Sequence, residues 1–169
     1  MKASLRRLAG AALCALSQAA AGSAAAAVTV NYVHDKDFTD LPKTPWQRQQ
    51  ALEDISEHFQ ELGKQLPAGQ DLVIDVLDID LAGSEAPNQF ALSGVRVRRH
   101  EGDWPRMRLR YSLLEGGKVL KSGDAALSDK SYGNHISSYP TDARWPAEKQ
   151  MIDSWWRATI VVDPAGANR

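Results

Sequence analysis

Cysteine is almost missing from this chain. The single thiol, Cys14, lies in a short apolar stretch near the N-terminus. Leu13 precedes it, whereas a lipidated cysteine needs a small residue at that position, so we expect no lipidation. Removal of this stretch as a leader would leave no thiol. Disulfides within the chain, cysteine nucleophiles and thiolate metal sites are then excluded, and the remaining chain tolerates an oxidising compartment.

The usual signatures of enzymes and cofactor sites are also missing. The sequence has no G-x-S-x-G elbow and no glycine-rich phosphate loop. No pair of histidines has an H-x-x-x-H spacing; the four are His34, His58, His100 and His135. We therefore expect no metal and no cofactor, although a catalytic triad assembled in space from distant Ser, His and Asp stays open.

The N-terminus has the pattern of a secretory signal peptide. Three basic residues and no acid occur in residues 1–7, residues 8–16 are largely apolar, and residues 23–27 are small. A membrane anchor needs roughly 20 apolar residues, and this run is shorter. We predict a cleaved leader at 1–27, one domain at 28–162, a flexible tail at 163–169, and a periplasmic or secreted location.

Charge and length limit the partners of the mature chain. The net charge of the whole chain is −1, and it becomes about −4 without Lys2, Arg6 and Arg7. This mild acidity argues against nucleic-acid binding. No second apolar run after the leader is long enough to span a membrane. The remaining residues suffice for one domain with a sizeable core.

Periodicity predicts strands around one well-defined helix. Residues 28–33 and 71–81 are rich in β-branched and apolar residues, as expected of strands. Between them Thr44 and Gln47 match a capping box, with Pro45 at the first helical position. Apolar residues at helical spacing follow, and Pro67 and Gly69 end the helix; the stripe is Leu52, Ile55, Phe59, Leu62 and Leu66.

The second half of the chain predicts an antiparallel sheet and a final helix. Residues 95–100 and 106–113 alternate and are joined by a short polar segment, which indicates a hairpin. Gly116 and Gly117 turn the chain into a strand at 118–127, with Gly123 as a candidate bulge. A helix follows at 146–159. The order β-α-β-β-β-β-α predicts a single α+β domain, mostly antiparallel, packed by two helices.

Arginines on the predicted hairpin form one candidate binding surface. Arg96, Arg98, Arg108 and Arg110 alternate with apolar residues, so we expect them on one face of a sheet. Trp104 in the connection is a candidate contact residue. One interpretation is a basic face for an anionic ligand. The other is a solvated face on which acids, with Asp78 and Asp80 as the first candidates, neutralise the arginines.

Two further groups of residues carry alternative interpretations. Asp78 and Asp80 resemble the start of a calcium loop, but Ala82 and Gln89 stand where further oxygen ligands are needed. The chain has five tryptophans. Trp155 and Trp156 are adjacent on the last helix, so we expect only one to face the core squarely and the other to lie at its edge.

The motifs Asp78–Gly83 and Asp103–Arg106, with the following Leu109, Tyr111 and Leu113, resemble an uncharacterised bacterial family, domain of unknown function 3016. The resemblance covers nearly all of the mature chain. It implies an exported single-domain protein, mostly of proteobacteria, and it supplies no activity, cofactor or catalytic residue.

These observations favour a non-enzymatic exported domain. Its expected partner is an anionic envelope polymer, a lipid head group or a partner protein. The alternative is a hydrolase acting on an envelope substrate, in which Asp78 or Asp80 works with His100 or His135 in a concave pocket.

Overall fold

A four-stranded mixed sheet with two helices on one face forms the framework of the protein. The computed structural model describes residues 26–85, 96–97, 102–132, 134, 138–140 and 143–161. The elements, in chain order, are β1 (Ala27–Tyr32), a 3₁₀ turn (Asp35–Asp37), α1 (Pro45–Gly63), β2 (Gln70–Asp80), β3 (Ser84–Glu85), β4 (Arg96–Val97), β5 (Arg106–Glu115), β6 (Lys118–Ser128) and α2 (Pro146–Thr159). The predicted α+β class and order are confirmed, with β3 as an additional short strand. Of the leader predicted at 1–27, residues 1–25 lie outside the described residues and Ala27 begins β1, and the tail predicted at 163–169 also lies outside them.

The strand order in the main sheet is β1-β2-β5-β6. β1 runs parallel to β2, as a strand-helix-strand unit requires. The β2–β5 and β5–β6 pairs are antiparallel. The sheet therefore has β1 and β6 as its outer strands among the described residues.

A bulge in β2 decides which of its side chains enter the core. Leu72, Ile74 and Val76 are fully buried. The register with β5 shifts between Val76 and Asp78, so that Leu77 is the extra residue. After the shift the buried positions are Ile79 and Leu81. A strand alternates faces at every residue, so this one-residue shift turns the later acids of β2 to the same open face as its earlier ones.

Both helices cover the other face of the sheet. Asp54 of α1 contacts Trp145 at the start of α2, and His58, one turn further along α1, contacts Asp153 of α2. The two helices therefore run in the same direction and begin at the same end of the molecule. No helix among the described residues combines enough length and apolar character to cross a membrane.

The expectation that only one of the adjacent tryptophans faces the core squarely is wrong. Trp155 is 9% exposed and Trp156 is 1% exposed. Trp155 packs edge-on against Phe59 of α1 and Tyr111 of β5. Because α2 packs against both the sheet and the neighbouring α1, two adjacent positions of this helix can both be buried.

The predicted hairpin between 95–100 and 106–113 is also wrong. β5 pairs with β2 and β6 instead. Arg96 and Val97 form β4, which pairs with β3 in a separate two-stranded sheet. Residues 95 and 98–100 lie outside the described part of the chain. Alternation along a strand identifies its faces but not its partner, and β2 offers β5 a much longer ladder than a six-residue neighbour would.

Two local signals also turned out differently. The bulge expected at Gly123 lies at Leu120, where the β5–β6 register shifts. Gly123 instead leaves room for the Tyr111 ring, because a β-carbon there would lie 3.3 Å from Tyr111 Cε1.

Thr44 does occupy the N-cap of α1, but its side chain makes no capping hydrogen bond, so the capping box is absent. Arg48 N donates to Thr44 O at 3.0 Å, so the first turn is closed by the backbone alone.

Gly63 marks the place where α1 comes closest to β1. The helix ends there, earlier than Pro67 suggests, and a β-carbon at Gly63 would overlap Val28 Cγ2. Alanine normally favours a helix over glycine. Here we expect Gly63→Ala to lower the free energy of unfolding by about 1–3 kcal/mol through overpacking. Urea denaturation measures this. Adding Val28→Ala should recover most of the loss, and a Gly63→Ala variant that is stabilised on its own would contradict the close approach.

Candidate functional site

The open face of the main sheet carries the arginines of β5. Arg106, Arg108 and Arg110 alternate with the buried Met107, Leu109 and Tyr111. Each arginine faces an aspartate on a neighbouring strand. The distances are 2.6 Å from Arg106 Nη1 to Asp80 Oδ2, 3.7 Å from Arg108 Nε to Asp78 Oδ2, and 2.9 Å from Arg110 Nε to Asp124 Oδ1. Arg106 was not in the set singled out from the sequence.

Carboxylates balance the charge of this face. Asp78 also accepts hydrogen bonds from Thr39 N at 2.8 Å and Thr39 Oγ1 at 2.9 Å. Burial raises the pKa of Asp80 above its usual value, and the nearby Arg106 only partly offsets this effect. The contacts are those of a salt-bridged face, and none of its three arginines stands apart as a free cation. β5 therefore does not present a uniformly basic face.

Trp104 is part of the same arrangement. Its ring lies beneath Arg106, with the guanidinium carbon 4.6 Å from the ring centroid, and Lys130 Nζ is 5.7 Å from it. Such cation–π contacts stabilise by about 0.5–1 kcal/mol at exposed sites. The ring thus holds two cations of this chain, and it is only half-buried.

Arg96 lies away from the sheet arginines, on β4. Its side chain is 14% exposed. Nε donates to Ala82 O at 3.0 Å, and Nη2 donates to Leu81 O at 3.2 Å, to Gly83 O at 2.5 Å and to Asp40 Oδ2. Nη1 is buried and meets no acceptor within the described ranges of the chain. Arg98, the remaining predicted arginine, lies outside the described residues.

A cleft of about 410 Å³ opens beside Arg96 at the start of α2. Its walls are largely apolar, and its polar members include Arg96, Arg144 and Glu148. Trp145 stands at the helix start with φ 55° and ψ 48°, in the left-handed region that residues other than glycine seldom adopt. The other lining residues are Ala82, Tyr132, Pro146, Ala147 and Gln150.

Asp54 of α1 holds the unusual conformation of Trp145 in place. Its Oδ2 accepts from Trp145 Nε1 at 3.0 Å and lies 2.7 Å from Arg144 Nη2. Backbone conformations of this kind cost about 1–3 kcal/mol and are concentrated at functional sites. Two consecutive residues at the mouth of the cleft are therefore fixed by a single carboxylate.

Glu148 is the buried charged residue of the cleft. Only 2% of it is exposed, and its Oε1 accepts from Ala82 N at 2.7 Å. Burial raises its pKa above the ordinary 4.5, while the hydrogen bond from Ala82 and the charge of Arg96 oppose that shift. Glu148 thus links the first turn of α2 to the end of β2, next to the guanidinium of Arg96.

The raised pKa of Glu148 makes a prediction about stability and pH. Protonation favours the folded state when the folded pKa is the higher one, so this contribution is full below pH 4.5 and is lost as the pH rises through the folded pKa. Glu148→Gln keeps the acceptor for Ala82 N but cannot titrate. We expect the variant to gain stability relative to the wild type as the pH is raised from 4.5 to neutrality, as measured by urea denaturation. A difference that does not change with pH, or changes in the opposite direction, would contradict the assignment.

A second groove of about 330 Å³ adjoins the cleft and shares Arg96, Arg144 and Trp145 with it. It adds Trp46, which is 60% exposed, and Gln47 from the first turn of α1. The two openings therefore lie on either side of the Arg144–Trp145 segment. Sequence reasoning missed Trp46, Arg144, Trp145 and Glu148 as site residues. The only signal was a tryptophan next to the proline that begins each helix, as Pro45-Trp46 and as Trp145-Pro146.

A separate polar cluster joins the two helices. His58 Nε2 lies 2.8 Å from Asp153 Oδ1, and the Tyr139 hydroxyl donates to Asp153 Oδ2 at 2.7 Å. The His58 side chain is only 10% exposed, so its side of α1 is covered. It is held there because α2 packs over that side and offers a carboxylate.

The hydrolase alternative pairs Asp78 or Asp80 with His100 or His135, and only the two aspartates lie among the described residues. Asp78 and Asp80 lie against Arg108 and Arg106 on the open face, and neither lines the cleft at the start of α2. His100 and His135 lie outside the described residues. Within the described ranges, no group of three or more His, Cys, Asp or Glu side chains is placed to hold a metal ion.

Two of the solved structures that this chain matches illustrate how distant the likenesses are. The PelC dodecamer from Paraburkholderia phytofirmans has a TM-score of 0.34 and 12% identity, over 79% of this chain and 84% of that chain. Protein XCC0632 from Xanthomonas campestris, of the family DUF330, has a TM-score of 0.35 and 16% identity, over 76% of each chain. No curated protein matches the sequence.

The family comparison gives a clear result. The profile of the family described as "Protein of unknown function (DUF3016)" matches residues 26–158. The matched region includes both helices almost completely, all six strands and the cleft at the start of α2. The resemblance seen in the sequence is confirmed, and the chain belongs to the DUF3016 family.

Proposed function

We propose that this protein is an exported, non-enzymatic binding domain whose cleft at the start of α2 takes an anionic envelope component. The signal-peptide pattern of residues 1–27 supports export. The ligand has a carboxylate or phosphate group next to an apolar body, because the cleft combines guanidinium donors with largely apolar walls.

The observation that carries this proposal is the buried Nη1 of Arg96. No described residue supplies an acceptor for it, while Nε and Nη2 of the same side chain are engaged. A buried donor without a partner costs about 1–3 kcal/mol. An anionic group that reached it would recover that cost, which would favour the occupied site.

Two neighbouring groups support the same ligand chemistry. Arg144 uses Nη2 on Asp54 and is 45% exposed, so other N–H groups of its guanidinium remain available at the mouth of the cleft. Trp145 gives α2 no side-chain cap, and the first-turn N–H groups of a helix lack intrahelical acceptors and favour anions. The N–H of Ala147, in the cleft wall, is one of these.

The carboxylates around the cleft determine what kind of binding to expect. Asp40 and Asp54 already pair with the two arginines, and Glu148 lies at the cleft floor. Recognition therefore depends on directed hydrogen bonds rather than on excess positive charge. Binding should weaken only modestly with salt, and it should strengthen at lower pH as Glu148 is protonated.

Retention on defined probes tests the proposal. The probes are vesicles containing phosphatidylglycerol, which present phosphate, and polygalacturonate beads, which present carboxylate; neutral phosphatidylcholine vesicles are the blank. Arg144→Gln should lower retention about tenfold, the effect of losing a charge-assisted pair of hydrogen bonds. The probe that retains the wild type identifies the source of the anionic group.

The matched control is the double variant Arg108→Gln and Arg110→Gln on the open face. These side chains are 64% and 59% exposed and are paired with aspartates, as Arg144 is. The control should bind like the wild type. If the control loses retention and Arg144→Gln does not, the sheet face is the binding surface. If neither probe retains the wild type, the proposal is overturned.

A further inference from the structure

Trp46 is the tryptophan that is most open to solvent among the described residues. It is 60% exposed, and it lies at the second position of α1, on the wall of the groove that adjoins the cleft. Within the described ranges its ring stacks on no other aromatic ring and holds no cation, unlike the ring of Trp104. A flat aromatic face that is left open beside a groove is a typical anchor for a ligand.

The groove also has polar side chains without partners. Gln47 and Gln50 of α1 and Glu85 of β3 line it. None of these three side chains makes a hydrogen bond or an ion pair in the part of the chain that the structure describes. An amide both donates and accepts hydrogen bonds, and a carboxylate accepts them. These groups therefore match a ligand with hydroxyl groups, because a hydroxyl also donates and accepts.

The two openings differ in the charge that they accept. Arg96 and Arg144 line both, but Glu85 lines only the groove, and no described cation lies within ion-pair distance of it. The carboxylate in the cleft, Glu148, is by contrast already engaged by Ala82 N. An anionic group of a ligand is therefore better placed in the cleft, and a neutral group in the groove. The acyl chain of a lipid would leave Glu85 and the two amides unpaired, and burying such groups without hydrogen bonds is unfavourable.

We infer that the ligand is an acidic oligosaccharide, whose uronic acid unit lies in the cleft at the start of α2 and whose neighbouring neutral sugar stacks on Trp46. The inference rests on the proposed function, because it takes that cleft as the site of the anionic group. One sugar chain can reach both openings, since they lie on either side of the Arg144–Trp145 segment. The C–H face of the neutral sugar contacts the negative face of the Trp46 ring. Its hydroxyls bond to Gln47, Gln50 and Glu85.

Titrations with an acidic sugar of two lengths test the inference. The probes are glucuronic acid and aldotriouronic acid, in which glucuronic acid is linked to two xylose units. The signals are those of the tryptophan indole N–H groups of ¹⁵N-labelled protein. Glucuronic acid should shift the Trp145 signal alone, and aldotriouronic acid should shift both Trp145 and Trp46. The longer probe should bind at least about tenfold more tightly, because it adds the aromatic contact and the hydrogen bonds of the groove.

Trp46→Ala should remove this gain in affinity. Followed at the Trp145 signal, the Kd of the variant for aldotriouronic acid should rise about tenfold, while its Kd for glucuronic acid should stay within about twofold of the wild type. Trp46→Phe keeps an aromatic face and should keep most of the gain. The matched control is Trp104→Ala, which removes a half-buried tryptophan that lines neither opening and should leave both constants unchanged.

Two results would overturn the inference and leave the proposed function intact. One is that aldotriouronic acid binds no more tightly than glucuronic acid, or equally tightly to Trp46→Ala, although Arg144→Gln abolishes the Trp145 shifts. The other is that only short-chain phosphatidylglycerol, added below its micelle concentration, shifts Trp145, which would identify a lipid. If none of the three probes shifts the Trp145 signal, the inference and the proposed function fail together. Because Trp46 is exposed, Trp46→Ala should stay folded, and the dispersion of its ¹⁵N spectrum checks this.

Discussion

Replacement of Arg96 by alanine is expected to lower the free energy of unfolding by about 2–3 kcal/mol, because the hydrogen bonds of a charged, partly buried side chain are lost. The side chain ties β4 to Asp40 and to three successive carbonyls at 81–83. Alanine leaves these acceptors without their donor in a region that is largely shielded from water. Denaturation in urea, followed by tryptophan fluorescence, gives the difference.

Arg108→Ala is the matched control for this loss. Arg108 is 64% exposed and lies 3.7 Å from Asp78, so its removal should cost only about 0–1 kcal/mol. Equal losses for the two variants would mean that Arg96 is no more than another surface arginine. Arg96→Lys should recover only part of the loss, because a single ammonium cannot reproduce the planar fork that serves several acceptors.

Replacement of Trp156 by alanine should cost about 3–5 kcal/mol by leaving a large cavity under α2. Trp156 is the largest of the fully buried side chains, and its ring packs edge-on against Trp155 with centroids 6.4 Å apart. Urea denaturation measures this loss. We expect the midpoint of unfolding to fall, and the slope of the free energy of unfolding against urea concentration to change little.

Trp46→Ala is the control for Trp156, since Trp46 is 60% exposed. Its cost should stay within about 0.5 kcal/mol. Trp156→Phe should cost clearly less than Trp156→Ala, because phenylalanine fills much of the space and removes a buried Nε1–H for which no described residue is an acceptor. A Trp156→Ala variant as stable as Trp46→Ala would contradict the placement of Trp156 in the core.

Local patterns in the sequence were sufficient to predict the main helices and strands and the fold class. The stripe that includes Leu52, Ile55 and Phe59 identified α1, and all three residues are buried as expected. Pro146 marked the start of α2, where proline fits the first helical position. These features depend on residues three or four positions apart, so they can be read from a short window of the chain.

Contacts between residues that are distant in sequence could not be predicted in the same way. The extra residue Leu77 in β2 has no local signature, yet it decides that Asp78 and Asp80 share the face of Arg106 and Arg108. The strand assigned to residues 95–100 appeared to pair with its neighbour in sequence, but Arg96 pairs with β3. Strand pairing depends on total ladder length and on burial across the sheet, which a single strand does not encode.

The cleft at the start of α2 could not be predicted from the sequence for a related reason. Glu148 has the sequence context of an ordinary acid in the first turn of a helix, where carboxylates are favoured. Only the packing of α2 against the end of β2 buries it beside Arg96. Trp145 likewise shows nothing in its sequence of the positive φ that Asp54 helps to hold.

The central claim is that the ligand occupies the cleft at the start of α2 rather than the arginine-bearing face of the sheet. The most direct test is a titration of ¹⁵N-labelled protein with tri-galacturonic acid and with a short-chain phosphatidylglycerol below its micelle concentration. The account predicts saturable shifts of the Trp145 indole N–H and the Arg96 Nε–H signals with at least one probe, while the Trp104 indole and the Arg108 Nε–H signals stay in place. Shifts confined to Trp104 and Arg108 would contradict it.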